Sequence, residues 1–409
     1  MADFSLKSLM SIAGSRSQVS VSGSCTTLHT TREIEYRVLH PDQPVFDSTE
    51  VTMRDLVGSR PVLIVSDHTV AAIYGPAWRT YARAHLDLAG EVLLEPGEVA
   101  KSWDHIEQIC DAAVRAGLPR NGIVIGIGGG IVLDTAGFAA SVFRRGVGYV
   151  RVPTTLVGLV DVAVGIKQGV NAHGRKNLLG AFYTPIASVN DYRFLETLDG
   201  DNISCGFAEI LKMALLRDTT LLALLETHGA ELLATRFAAP VRIAREVARR
   251  AELLMMQELA PNLFEEDLAR LVDFGHSFSP AMEIATCFQI PHGHAVALDM
   301  LLCTALSKPD LLPRLKSLYR VLGLPTWDSR IPNADVLSDA LADIRKHRAG
   351  SLNLVVLRRP GEPYFLQAVS RSNISRALDL LREEVPDLCS VPQAAGAASN
   401  RNNYDRLAL

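Results

Sequence analysis

The sequence predicts an α/β chain, with a doubly wound parallel sheet in its first half and a mainly α-helical domain in its second. Between residues 61 and 155, apolar runs of strand length alternate with helix-length stretches, the order that builds a parallel sheet covered on both faces. After about residue 200 the apolar residues recur with helical period. A chain of 409 residues, 48% hydrophobic and 21% charged, can fill two packed domains and is not a disordered one. The first half therefore reads as a Rossmann-like domain.

The elements follow in order. Residues 1–20 are rich in serine and 389–409 in alanine, asparagine and serine, which suits flexible ends. An α/β domain is expected over 21–200 and a helical domain over 201–388. From Thr26 to Met53, alternating segments such as IEYRVL predict strands of a small sheet. PVLIVSD (61–67) is a buried strand, with a helix over 71–85, a strand at EVLLEP, and a helix capped by Ser102 that ends at Ala116 before Gly117 and Pro119. GIVIGIGGG and YVRVPTT are the next strands. FAEILKMALL, PVRIAREVARRAELLMM and GHAVALDMLLCTAL have helical period.

A net charge of −4 and a sequence pI near 6.3, with no lysine or arginine block, argue against nucleic acid or an anionic membrane as partner and for a small molecule. Six scattered cysteines form no CxxC pair. No segment has the roughly 18 uninterrupted apolar residues of a membrane helix, nor does the N-terminus read as a secretory signal, so a cytoplasmic protein is expected.

Chemistry concentrates in a few segments. Gly126-Ile127-Gly128-Gly129-Gly130 closes an apolar strand, where backbone free of Cβ can approach a pyrophosphate. Ile131 stands where GxGxxG has its last glycine, so a tight turn is an equal reading. Asp134 suits a ligand or the helix dipole alone. Asp161, inside an apolar stretch, needs a partner. Lys167, Asn171, Lys176 and Asn177 lie in a glycine-punctuated segment able to hold a phosphorylated, hydroxyl-rich substrate. Glu209 and Lys212, three apart, read equally as a surface ion pair. With His276, and with His292 or His294, Glu209 could supply the carboxylate and imidazoles of a divalent metal site, although each histidine alone reads as readily as a core residue. Two residues apart, His292 and His294 cannot both face one ion, and whichever is not the ligand reads as a substrate contact.

In this order, GGGIVLDTAGFAASVFRRG, RVPTTLVGLVDVAVGIKQGVN, KNLLGAF, GFAEILKMAL, DFGHSFSPAMEIA and HGHAVALDM resemble the sugar phosphate cyclase family, whose best-known member is dehydroquinate synthase, over roughly residues 60 to 360. The resemblance implies a dehydroquinate synthase-like fold, NAD, and zinc or cobalt held by Glu209, His276 and His292. It places Asp67, Glu98, Lys101, Gly128, Gly129, Gly130, Ile131, Asp134, Thr154 and Thr155 at the NAD, with Asp161, Lys167 and Lys176 reaching both cofactor and substrate. It gives Asn177, Lys212, Asp273 and Lys346 to the substrate, and it implies a homodimer in which Arg145 reaches a phosphate of the partner site.

Pro280 stands where dehydroquinate synthases carry a second histidine, and Asp273 where they carry asparagine. DFGHSFSP, ELAPNLFEEDL and KHRAGSLNLVV are instead similar to cyclases of sedoheptulose 7-phosphate, the 2-epi-5-epi-valiolone synthases of C7-cyclitol biosynthesis foremost, with 2-epi-valiolone and desmethyl-4-deoxygadusol synthases in the same branch. Product choice is expected at Leu259, Asp273 and 349–352. The implied reaction is transient oxidation by NAD, β-elimination of phosphate, reduction and intramolecular aldol closure. Dehydroquinate synthase and a metal-dependent polyol dehydrogenase are the alternatives.

Overall fold

The apolar runs that dominate the first half pair side by side. The computed structural model describes residues 9–12, 15–22 and 24–383. Strands β1 (Leu9–Ile12), β2 (Ser15–Ser22) and β3 (Cys25–Arg32) form an antiparallel sheet. The serine-rich start, expected as a flexible end, thus carries strands: Val19 and Val21 alternate with serines, a period of two that its serine content obscured. The expected tail at 389–409 lies outside the described residues.

β4 (Arg37–Leu39) precedes helix α1 (Thr52–Val57). The predicted small sheet over 26–53 does not form as one unit, because β4 joins the main sheet. That sheet continues with β5 (Pro61–Asp67), α2 (His68–His85), β6 (Asp87–Leu94), α3 (Trp103–Arg115), β7 (Ile123–Gly128), α4 (Gly130–Val142) and β8 (Gly148–Pro153). A hairpin, β9 (Lys167–Ala172) and β10 (Arg175–Phe182), precedes β11 (Ala187–Val189). The sheet is parallel throughout, in the order β4-β11-β8-β7-β5-β6. Helices cover both faces, which is why β7 is buried along its whole length. The chain runs outward from β5 to β6 and returns to place β7 on the other side of β5, opening a crevice at the carboxyl ends of β5 and β7.

The second half contains α5 (Gly200–Arg217), α6 (Thr219–Ala234), α7 (Val241–Leu259), α8 (Ser279–Ala285), α9 (His292–Ser307), α10 (Leu312–Val321), α11 (Ala334–His347), a hairpin of β12 (Leu354–Arg359) and β13 (Glu362–Leu366), and α12 (Arg371–Arg382). Asp199 starts α5 by accepting from the amide of Asn202, and Asp218 ends it while capping α6. From Ile203 to Leu216 every residue of α5 is buried, so this helix is enclosed on all sides and the bundle packs around it. Among the described residues, no helix is long and apolar enough to cross a membrane.

Candidate active site

A cavity of about 1060 Å³ lies between the carboxyl ends of the parallel strands and the helices α5, α8 and α9. Its first wall is the glycine loop. A Cβ on Gly129 would stand 3.0 Å from Thr155 Cγ2, and one on Gly130 3.0 Å from Val162 Cγ2, so a larger residue at either position would crowd its neighbour. No side chain caps α4 at Gly129, which leaves its first amides free for an anion. Ile131, Asp134, Thr154 and Thr155 line the same wall. Gly128 ends β7 just behind it. Buried Lys101 holds Asp134 at 2.6 Å. Glu98 accepts from the Asn171 amide at 2.7 Å, tying the 3₁₀ turn before α3 to the β9–β10 hairpin. Asp67 caps α2 through the amide of Val70.

Asp161 sits on a π-helical turn, Gly158–Val162, whose Gly158 and Asp161 carbonyls accept backbone amides just beyond it. Side chains hold other carbonyls in and after the turn. Arg151, 0% exposed on β8, donates to the carbonyls of Val162 and Gly165, both at 2.7 Å. Ser188 donates to Ala163, Asn190 to Leu159, and Tyr36 to Val164. Asp161 is thereby held facing the cavity.

The opposite wall carries His276 in the turn before α8 and His292 at the start of α9, and Glu209 of α5 lies buried behind them. One donor atom from each lies within 4.8 Å of the others, and each imidazole Nε2 is 3.7 Å from Glu209 Oε1. Glu209 is 0% and Lys212 2% exposed, so the surface ion pair is excluded. Lys212 Nζ stands 2.5 Å from Oε2, yet neither carboxylate oxygen of Glu209 has a properly directed hydrogen bond. A buried, under-satisfied carboxylate facing two imidazoles fits a divalent cation. Burial, helped by Lys212 and His292, pushes His276 down to about 3, so it stays the neutral imidazole a metal requires. Burial also works against the Lys212 charge, but Glu209 and Asp161 outweigh it and raise its pKa.

The remaining expected residues divide. Lys167, Lys176, Asn177, Asp273 and Leu259 line the cavity. Lys167, 60% exposed, pairs with Glu265 at 2.9 Å across the mouth. Asp273 is held by Arg270 at 2.7 Å and Arg348 at 2.5 Å, so its carboxylate is already engaged. Lys346 does not reach the cavity: at the end of α11 it is 78% exposed and pairs with Asp343 at 3.0 Å. Arg145 is exposed at the kink after α4, also away from the cavity lining. His294 is no substrate contact either, since α9 turns it toward α5, where Nε2 meets Ser204 Oγ at 2.6 Å. Residues 349–352 do not line the cavity.

Sequence reasoning missed Glu283 on α8. Its Oε1 meets His292 Nδ1 at 3.0 Å, while Oε2 receives Lys176 Nζ. Burial alone would raise its pKa, but His292 and Lys176 bring it down to about 2. The available signal was a lone carboxylate in the apolar stretch AMEIA.

Two family profiles match the chain, 3-dehydroquinate synthase N-terminal over residues 91–205 and 3-dehydroquinate synthase C-terminal over 206–346. A 2-epi-5-epi-valiolone synthase of Streptomyces glaucescens is 40% identical over 361 residues, covering 86% of this chain and 92% of that protein. A 3-dehydroquinate synthase of Rhizobium rhizogenes is 33% identical over 340 residues, covering 80% and 88%. Among solved structures, ValA, a 2-epi-5-epi-valiolone synthase from Streptomyces hygroscopicus subsp. jinggangensis with NAD+ and Zn2+ bound, superposes with a TM-score of 0.81 at 38% identity, over 86% of this chain and 98% of that one.

Proposed function

Because the chain belongs to the 3-dehydroquinate synthase family, and because relatives about 40% identical over most of its length are 2-epi-5-epi-valiolone synthases, we propose that it converts sedoheptulose 7-phosphate to 2-epi-5-epi-valiolone with release of phosphate. The observation that carries this reading is the continuous cavity that joins the glycine wall to His276 and His292, with the Glu209 carboxylate buried behind them. NAD would lie along Gly129, Gly130, Asp134, Thr154 and Thr155, and a divalent metal ion between Glu209 and the two imidazoles. Bound there, they supply reversible hydride exchange and stabilisation of negative charge on a substrate oxygen.

The chain's own groups do the rest. Lys212, kept cationic by Glu209 and Asp161, lines the cavity, where it can donate a hydrogen bond to a substrate oxygen. Lys176 and Lys167, on one hairpin, meet the leaving phosphate with two positive charges. Asn177 and Asp161 offer hydrogen bonds to hydroxyls. Arg348 and Arg270 fix Asp273, so that residue shapes the pocket rather than moving protons. A homodimer in the cytoplasm, with Arg145 contributing across the interface, belongs to the same reading.

The test is incubation of the purified protein with sedoheptulose 7-phosphate, NAD+ and zinc, with products identified by NMR and phosphate and NADH followed together. Formation of 2-epi-5-epi-valiolone with stoichiometric phosphate and no NADH build-up is the expected result. Sustained NADH production, or turnover of the dehydroquinate precursor alone, overturns the reading.

A further inference from the structure

Glu283 touches both halves of the cavity. It is 2% exposed, and α8 carries it between the bundle and the β9–β10 hairpin. One oxygen faces the His292 imidazole and the other the Lys176 ammonium. The two contacts have different chemistry. A lysine ammonium can only donate, and so can an imidazole nitrogen that faces a carboxylate at 3.0 Å. The carboxylate therefore settles the proton on Nδ1 and leaves the Nε2 lone pair, the atom 3.7 Å from Glu209, for the cation. Lys176 Nζ also lies 3.3 Å from Nδ1, but two donors cannot bond to each other, so that approach is held only by the shared acceptor.

We propose that Glu283 is a positioning residue that acts in two directions, fixing the tautomer and orientation of His292 for the metal and placing Lys176 of the opposite domain over the substrate phosphate. This rests on the metal-dependent reading above. It makes the metal site and the phosphate-gripping hairpin share one carboxylate, so that the two are assembled together. Removal of the shared group should loosen both, whereas an amide in its place should separate them. In the Glu283→Gln protein the side-chain carbonyl oxygen could still accept from His292 Nδ1, but the new NH2 group would face the Lys176 donor.

Glu283→Ala and Glu283→Gln are to be compared with the wild type by competition for Zn2+ against a chromophoric chelator, by steady-state kinetics with sedoheptulose 7-phosphate at saturating Zn2+, and by melting of the metal-free proteins. Glu283→Ala should bind Zn2+ about 10- to 100-fold more weakly, the usual effect of deleting a carboxylate behind a ligating histidine. Glu283→Gln should stay within a few-fold of wild type in Zn2+ affinity while its KM rises by about tenfold or more, the loss expected when a charge-assisted contact worth ~1.5 kcal/mol disappears. Wild-type Zn2+ affinity in a folded Glu283→Ala protein overturns the inference while leaving the metal-dependent function intact. An unchanged KM in Glu283→Gln overturns the Lys176 half. A wild type that binds no zinc overturns the functional reading itself, independently of either variant.

Discussion

Asp299 is a fully buried acid with no cation to balance it in the hydrogen bonds and ion pairs of the described residues. It lies on α9, accepts the amides of Phe278 and Ser279 at the start of α8, and so anchors the turn that carries His276. Burial pushes its pKa up to about 6 despite these hydrogen bonds. A carboxyl raised in the folded state binds protons more tightly there than in the unfolded chain. Its protonated form therefore favours folding below about pH 4, and that advantage is lost as pH rises from 3.8 to about 6, to the extent of about 3 kcal/mol. Asp299→Asn should accordingly melt higher relative to wild type at pH 7 than at pH 4, as scanning calorimetry at the two pH values would detect; a difference that is constant with pH refutes the cause given. His276→Ala removes one of the three proposed ligands and should lower both zinc content and turnover at least about 100-fold, measured by elemental analysis and phosphate release. Such residues were only partly legible in the sequence. Glu209, His276 and His292 were recognisable by type, and their resemblance to a known set named them, but segments 67 and 16 residues apart do not state that they converge. The lone carboxylate of Glu283 was visible in the sequence but its role was not, because its partners, Lys176 and His292, are brought together by tertiary packing alone. Lys346 shows the converse: a matching motif gave its identity and not the direction of its side chain.

At the scale of the element, the π-helical turn around Asp161 is held mainly from outside. Two carbonyls in and just after it depend on Arg151, whose Nε and Nη2 are buried without partners and whose pKa is lowered, by burial first of all. Arg151→Met would forfeit two charge-assisted hydrogen bonds, each contributing ~1.5–3 kcal/mol, but would also relieve an incompletely paired buried cation. These effects oppose each other in stability and not in geometry. Thermal stability should therefore change little, while kcat/KM falls about tenfold or more as Asp161 loses its fixed position. Calorimetry alongside phosphate-release kinetics checks this, and unchanged kinetics would refute it. The elements themselves were legible wherever period and burial agree. β5 and β7 are largely continuous apolar runs because both sheet faces are covered, and β8 is broken only by the buried Arg151. β2 was missed because a polar strand with exposed faces lacks the apolar run that marks a buried one.

At the scale of the whole molecule, the first half contributes the glycine wall of the cavity and the second the proposed cation site, so the proposed reaction needs both halves. Contacts tie the halves firmly. Glu252 of α7 accepts from Asn190 and Tyr192 beside the main sheet and faces His40 at 3.1 Å. The α/β-then-helical order was legible because the apolar period changes near residue 200. The joint between the halves was not, since it is made of single polar side chains that no periodicity announces.

Glu209 and Lys212 occupy the centre of the fully enclosed helix α5, at positions that any rule for filling a core would give to leucine or methionine. A protein selected for folding alone would discard them. Glu209→Leu combined with Lys212→Met should raise the melting temperature of the metal-free protein and eliminate turnover, since well-packed apolar side chains commonly match or exceed a buried ion pair in stability. The pair thus records what the chain has been kept for: along any lineage that stopped needing the reaction, ordinary drift toward a better core would erase this site early, and the surviving fold would be the more robust for it.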